Sequence, residues 1–211
     1  MCGIFIIFAL LTYRDMAFER LKSLLKNELG YLPDGDGLEV LFSRGETMNL
    51  SRGGIVIEEG MKCPDVYIVE DGIVRFVDMN GDKERTFGFG LPGTMFSSKH
   101  SFVMNLPSYY RVEACCPTTL MHIKKDDFWD VVTSYHELTI WMLQYAYGEL
   151  FFQEYKNAVV HNGSTAERYR RMIGDRPEIM EKVSQKNIAS YLGVTPEYLS
   201  KLKREFLKSR R

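Results

Sequence analysis

The chain has 211 residues, 45% of them hydrophobic, with 27 Lys+Arg against 28 Asp+Glu. That length and apolar share support one medium and one small packed domain and exclude a disordered chain. The near-zero net charge is unevenly divided: residues 164–211 carry 12 Lys+Arg and 6 Asp+Glu, a balance of +6, which leaves −7 on residues 1–163, as in a protein whose C-terminal part alone meets a polyanion.

In chain order, MCGIFIIFALL is apolar but too short to span a bilayer, and it has neither a basic leader nor a small-residue cleavage site. No membrane association is expected. Met-Cys-Gly-Ile-Phe is similar to the start of amidotransferases whose nucleophile would be Cys2 here, but nothing downstream carries that chemistry. Met16 opens an amphipathic helical segment, AFERLKSLLKNEL, and translation begins either at Met1 or at Met16.

Residues 38–123 change period. Val66–Val69, Ile73–Val77, Thr86–Phe89 and Leu120–Ile123 read as strands separated by turn residues, with Gly60, Gly72, Gly81 and Gly93 in a regular rhythm and Asn80-Gly81 as a hairpin turn. This predicts an all-β antiparallel roll up to about residue 123. Cys2, Cys63, Cys115 and Cys116 show no zinc or c-type haem spacing, and adjacent Cys115 and Cys116 on a strand would face opposite sides. They read as structural thiols in a reducing compartment. His100, His122, His136 and His161 are scattered, so no metal site is expected, and no phosphate loop or nucleophile elbow is present. Enzymatic activity is not expected.

Tyr135–Val160 has helical period. Leu138, Trp141, Tyr145, Gly148, Phe152, Tyr155 and Val159 follow alternating steps of three and four, which predicts the seam of a two-stranded coiled coil. His161-Asn162-Gly163 breaks this helix, and Ser164-Thr165-Ala166-Glu167 is a capping box that starts another. The organisation predicted is a domain over residues 1–134, a dimerisation helix over 135–162 and a third unit over 163–211.

Within that last unit, QKNIASYLGVTPEYLSKL over Gln185–Leu202 reads as a helix-turn-helix. Ile188, Ala189 and Leu192 share a face, Ala189 is small enough for a crossing helix, and Gly193 suits a left-handed helix end. Val194 plugs the corner. Thr195 can cap the second helix and Pro196 suits its first turn. Leu199, Leu202 and Phe206 then face inward, leaving Glu197, Tyr198, Ser200, Lys201, Lys203 and Arg204 to groove and solvent.

Glu58-Glu59-Gly60, Val66-Tyr67-Ile68-Val69-Glu70-Asp71-Gly72 and Leu91-Pro92-Gly93-Thr94-Met95-Phe96, taken with the helix-turn-helix, resemble the Crp/Fnr transcription regulators over residues 17–208. The resemblance implies an α+β fold: an N-terminal antiparallel, cyclic-nucleotide-binding-like β-roll, a long dimerisation helix and a C-terminal all-α helix-turn-helix domain lacking a full wing. It implies a cytoplasmic homodimer that binds a palindromic operator in double-stranded DNA and acts on RNA polymerase. Ser184, Gln185 and Lys186 match phosphate-contacting positions, and Glu197, Ser200 and Lys201 match base readers, with Thr195, Tyr198, Lys203 and Arg204 beside them. Pro196 stands where the family has Arg, which implies an altered half-site.

The implied effector pocket departs from the family. Its Gly-Glu-Leu element is read here as Gly93-Thr94-Met95, and its Arg-Ser pair as Ser108-Tyr109. Loss of the Arg fork leaves a cyclic phosphate uncompensated, so cAMP is not expected. Phe96, Tyr109, Tyr110 and Arg111, with Gln153 and Glu154 from the long helix, then line a site for another small molecule or a collapsed one. No iron–sulfur or haem cofactor is implied. The competing reading is a ligand-binding or structural dimer whose C-terminal module docks protein rather than DNA.

Overall fold

A computed structural model describes residues 2–80, 83–155, 158 and 163–209, with side chains except those of residues 2–14, 80 and 207–209. Helix α1 runs without a break over Cys2–Leu29, not from Met16, and its second half buries Leu21 and Leu25. Among the described residues no helix is long and apolar enough to cross a membrane. Helix α2 (Gly37–Ser43) follows, and eight strands then build the roll. These are β1 (Glu46–Leu50), β2 (Ile55–Ile57), β3 (Val66–Asp71), β4 (Val74–Asn80), β5 (Lys83–Gly90), β6 (Met95–Phe96), β7 (Arg111–Ala114) and β8 (Thr118–Ile123).

All described pairings are antiparallel, in two four-stranded sheets ordered β1-β8-β3-β6 and β2-β7-β4-β5. Of the four strand-like segments of the sequence, three fall wholly on strands and Ile73–Val77 does so from Val74. The span is not all-β, however: α2 precedes β1, and α3 (Lys99–Met104) is inserted between β6 and β7 under a Ser98 cap. Gly81 of the expected hairpin turn lies outside the described residues. Two glycines are sterically required. Gly72 has φ +87° and a Cβ there would stand 2.4 Å from Thr118 Oγ1; Gly93 has φ +94° and its Cβ would stand 2.3 Å from Leu24 O. Gly93 is thus where the roll accepts α1.

Helices α4 (Lys125–Ser134) and α5 (His136–Tyr155) close one face of the roll. Their buried Phe128, Val131, Val132, Leu138 and Trp141 join Leu21, Leu25, Leu41, Phe42, Ile68 and Ile123 in one core. This overturns the predicted seam at its start. Leu138 and Trp141 are 0% and 1% exposed against their own roll, and half-buried Tyr145 donates from its hydroxyl to Met95 O at 2.7 Å. Gly148 faces open space, Phe152 and Tyr155 are exposed, and Val159 lies outside the described residues. The exposed apolar line is instead Ile140, Leu143, Tyr147, Leu150 and Phe151. The helix is apolar on both sides, so three–four spacing selects either stripe.

The C-terminal unit holds α6 (Thr165–Asp175), α7 (Glu178–Lys182), α8 (Gln185–Leu192) and α9 (Pro196–Ser209). The Ser164–Glu167 capping box is formed on both sides. His161 and Asn162 of the expected break lie outside the described residues. The unit packs on the roll of its own chain: Ile73, Leu91, Cys115 and Cys116 share one buried cluster with Tyr169, Met172, Ile188, Leu192, Leu199 and Leu202. The two cysteines lie in the turn after β7, not on a strand, and both are buried in this one cluster. Burial pushes the Cys115 thiol up to about 12, so it stays neutral and packs as a small apolar group.

Candidate functional site

The α8–α9 pair has the geometry its sequence demands. Ser184 caps α8, its Oγ accepting from Asn187 N. Gly193 ends the helix at φ +70°, and Val194 N closes back on Ala189 O at 3.0 Å. Thr195 Oγ1 accepts from Tyr198 N at 3.3 Å, which caps α9. Ile188, Ala189, Leu192 and Leu199 are 1% exposed or less, and Leu202 is buried with them. Tyr169 of α6 meets Phe206 edge-to-face at 6.0 Å and fixes the far end of α9.

Such packing leaves one face of α9 to solvent. Thr195, Glu197, Tyr198, Lys201 and Arg204 are exposed, as are Ser184, Gln185 and Lys186 at the start of α8. Lys203 is half-buried. Ser200 is partly engaged within the module: its Oγ donates to Pro196 O at 3.0 Å and lies 3.5 Å from Gln185 Oε1. Lys201 sits 3.9 Å from Glu205, a surface pair held too loosely to tie it down. The face therefore offers one carboxylate, one aromatic ring and two exposed cations along α9.

Inside the roll, aromatic rings occupy the space between the sheets. Tyr67 stacks on Phe96 at 5.4 Å, Phe76 meets Phe96 edge-on at 5.5 Å, and Tyr110 packs edge-on against Phe87 at 5.4 Å. Tyr110 also donates from its hydroxyl to Ser97 O at 2.7 Å, and burial pushes its phenol up to about 12. Ser108 is 3% exposed, and its Oγ donates to Tyr110 O at 2.7 Å. No cation stands at that position.

The ten residues assigned to an effector pocket do not come together. Phe96, Ser108 and Tyr110 line the interior. Gly93 and Thr94 form the turn before β6 and face α1, where Thr94 Oγ1 accepts from Leu91 N and reaches Glu28. Met95 belongs to the α1–α5 core. The short helix starts at Ser98–Lys99, so the element before it is Ser97-Ser98 rather than Gly93-Thr94-Met95. Tyr109 is 69% exposed and stacks on His100. Arg111 turns to the outer face and pairs with Glu84 and Glu113. Gln153 and Glu154 are exposed on the last turn of α5. Among the described residues no three His, Cys, Asp or Glu side chains form a metal-holding group.

The outer-face cluster is one that sequence reasoning missed. Arg75, 7% exposed, donates from Nε to Glu113 at 2.6 Å, from Nη2 to Glu84 at 3.1 Å and from Nη1 to Thr86 Oγ1 at 3.2 Å. Its signal was available as alternation: Glu84 and Thr86 on β5, and Arg111 and Glu113 on β7, each recur at period two on one sheet face.

These features define a class. Residues 47–135 match the model of the cyclic nucleotide-binding domain, and with the helical module behind that domain the chain has a CAP- and CooA-like fold. Among solved structures it is similar to FixK2 from Bradyrhizobium japonicum, with 19% identity and TM-score 0.64 over 78% of this chain and 85% of that one. CooA from Carboxydothermus hydrogenoformans, a mutant form, gives 18% identity and TM-score 0.61 over 85% and 87% of the two chains. CLP of Xanthomonas campestris, described as a c-di-GMP-responsive global regulator, gives 14% identity and TM-score 0.63 over 83% and 93%. At these identities the likeness is one of fold. No curated protein matches the chain.

Proposed function

We propose that the protein is a DNA-binding transcription regulator of the Crp/Fnr type that binds a palindromic operator as a homodimer, acts on RNA polymerase in the cytoplasm and does not respond to cAMP. The observation that carries this reading is the exposed face of α9, with Glu197, Tyr198, Lys201 and Arg204 in solvent while Ile188, Ala189, Leu192, Leu199, Leu202 and Phe206 of the α8–α9 pair pack inward. The +6 balance of residues 164–211 supplies the attraction to phosphate. The exposed stripe Ile140, Leu143, Tyr147, Leu150 and Phe151 supports association of two α5 helices.

The cAMP part of the reading rests on charge and space. A cyclic phosphate in the roll would find Ser108 in place of a cation and four rings where the nucleotide would lie. No enzymatic role is proposed.

Equilibrium titration of labelled duplexes tests the assignment of readers. Lys201→Ala relaxes selection at one base position at a cost of about 1–3 kcal/mol, whereas Lys203→Ala weakens all duplexes alike and lowers the salt slope by about one. An unchanged base preference in Lys201→Ala refutes the placement of α9 in the groove.

A further inference from the structure

We propose that Ser190 latches the α8–α9 module to the free edge of β5, and that this latch fixes the orientation in which α9 meets DNA. The second clause rests on the DNA-binding reading above. Strand β5 ends the sheet order β2-β7-β4-β5, so its outer edge offers backbone groups with no strand beside them among the described residues. Ser190 Oγ accepts from Thr86 N at 2.9 Å and donates to Glu84 O at 3.3 Å. An N–H and the C=O two residues before it point to the same side of a strand, and they are the two groups an adjoining strand would bond. One hydroxyl serves both.

The same two residues are held from the neighbouring strand β4. Arg75 binds the side chains of Thr86 and Glu84 while Ser190 binds their backbone, so the edge is fixed at both levels. Beside the hydroxyl, Phe89 of β5 packs on Tyr191 of α8 with ring centroids 5.2 Å apart. Two ion pairs stand farther out, Arg176 to Glu28 at 2.8 Å and Lys182 to Asp71 at 3.7 Å.

The latched module keeps Glu197, Tyr198, Lys201 and Arg204 exposed, so docking uses the side of α8 away from the reading face. A module positioned before it meets DNA is spared the entropy cost of being ordered on binding. Ser190 is thus a positioning residue: it touches no base or phosphate, and its removal changes affinity without changing which bases are read.

The test uses the full chain with Ser190→Ala and the conservative Ser190→Thr. In the unaltered protein the Thr86 amide exchanges slowly with solvent deuterium despite lying on an edge strand. Ser190→Ala speeds that exchange at least about tenfold and weakens binding to the selected duplex about 5–10-fold with base preference intact; Ser190→Thr restores both. The Val112 amide of interior strand β7 reports that the fold persists. Unchanged Thr86 exchange in Ser190→Ala overturns the latch. Faster exchange with equal or tighter DNA binding overturns its role in orientation. If the unaltered protein selects no duplex, the DNA-binding reading and the orienting role fail together, while the exchange measurement still decides the latch.

Discussion

Trp141→Ala lowers the unfolding free energy by about 3–5 kcal/mol, the range for emptying a buried aromatic site. Trp141 is 1% exposed and shares its core with Leu25, Leu38, Phe42, Phe128 and Leu138, so the cavity would open between α1, α2, α4 and α5. Leu143→Asp, two residues along the same helix, behaves in the opposite way. Leu143 is 54% exposed, and a carboxylate there costs the isolated fold little but places like charges across a two-helix seam. Denaturant unfolding and analytical ultracentrifugation separate the two: Trp141→Ala loses stability, and Leu143→Asp loses the proposed dimer. A Trp141→Ala protein that stays stable but becomes monomeric would place the seam on the other face of α5.

Arg75→Ala lowers stability by about 3 kcal/mol, toward the low end for breaking a buried ion pair. The low end applies because Glu113 is 16% exposed but Glu84 is 41% exposed and can hydrate. Replacing Arg75 and Glu113 together with apolar residues recovers most of the loss, since no buried carboxylate then has to do without the Arg75 fork and rely on Arg111. A double-mutant cycle by chemical denaturation measures this, and additive losses would show that the pair is not coupled.

The cluster also sets an acid response. The Arg111 guanidinium, and Arg75 after it, hold the Glu84 carboxyl below its ordinary value of 4.5. A depressed carboxylate contributes stability that is present above the ordinary value and is lost as pH falls through the lowered one. Glu84 also carries the carbonyl that accepts from Ser190 Oγ, so acid weakens the ion pairs and the adjoining latch in the same window.

The helix-turn-helix was legible because each of its positions has a different chemical requirement. Small Ala189, left-handed Gly193, capping Thr195 and Pro196 cannot be permuted, so the order alone specifies the turn. The strands were legible for a similar reason, as short β-branched and aromatic runs set between glycines. Helix α5 was not. With Trp141 and Leu138 on one side and Leu143 and Tyr147 on the other, its period is satisfied twice, and only the roll decides which stripe is core.

The pocket was half legible. Replacement of a cation by Ser108 could be read directly, but filling of the roll by Phe76, Phe87 and Tyr110 depends on β4, β5 and the bend before β7 converging. The register of the loop before α3 was misplaced because Gly93 stood out as the glycine of the motif, whereas its positive φ serves the approach of α1. The docking of α8 on β5 left no sequence signal, since the groups that Ser190 meets are backbone atoms and every residue has them.

Selection from a library of randomised duplexes by the full-length protein, at physiological salt and with no cyclic nucleotide added, tests the central claim most directly. The account predicts enrichment of a two-fold symmetric site whose half-sites lie about 34 Å apart, one helical turn, and no further enrichment when cAMP is supplied. Recovery of unselected sequences at that salt, or selection that begins only once cAMP is present, would contradict it.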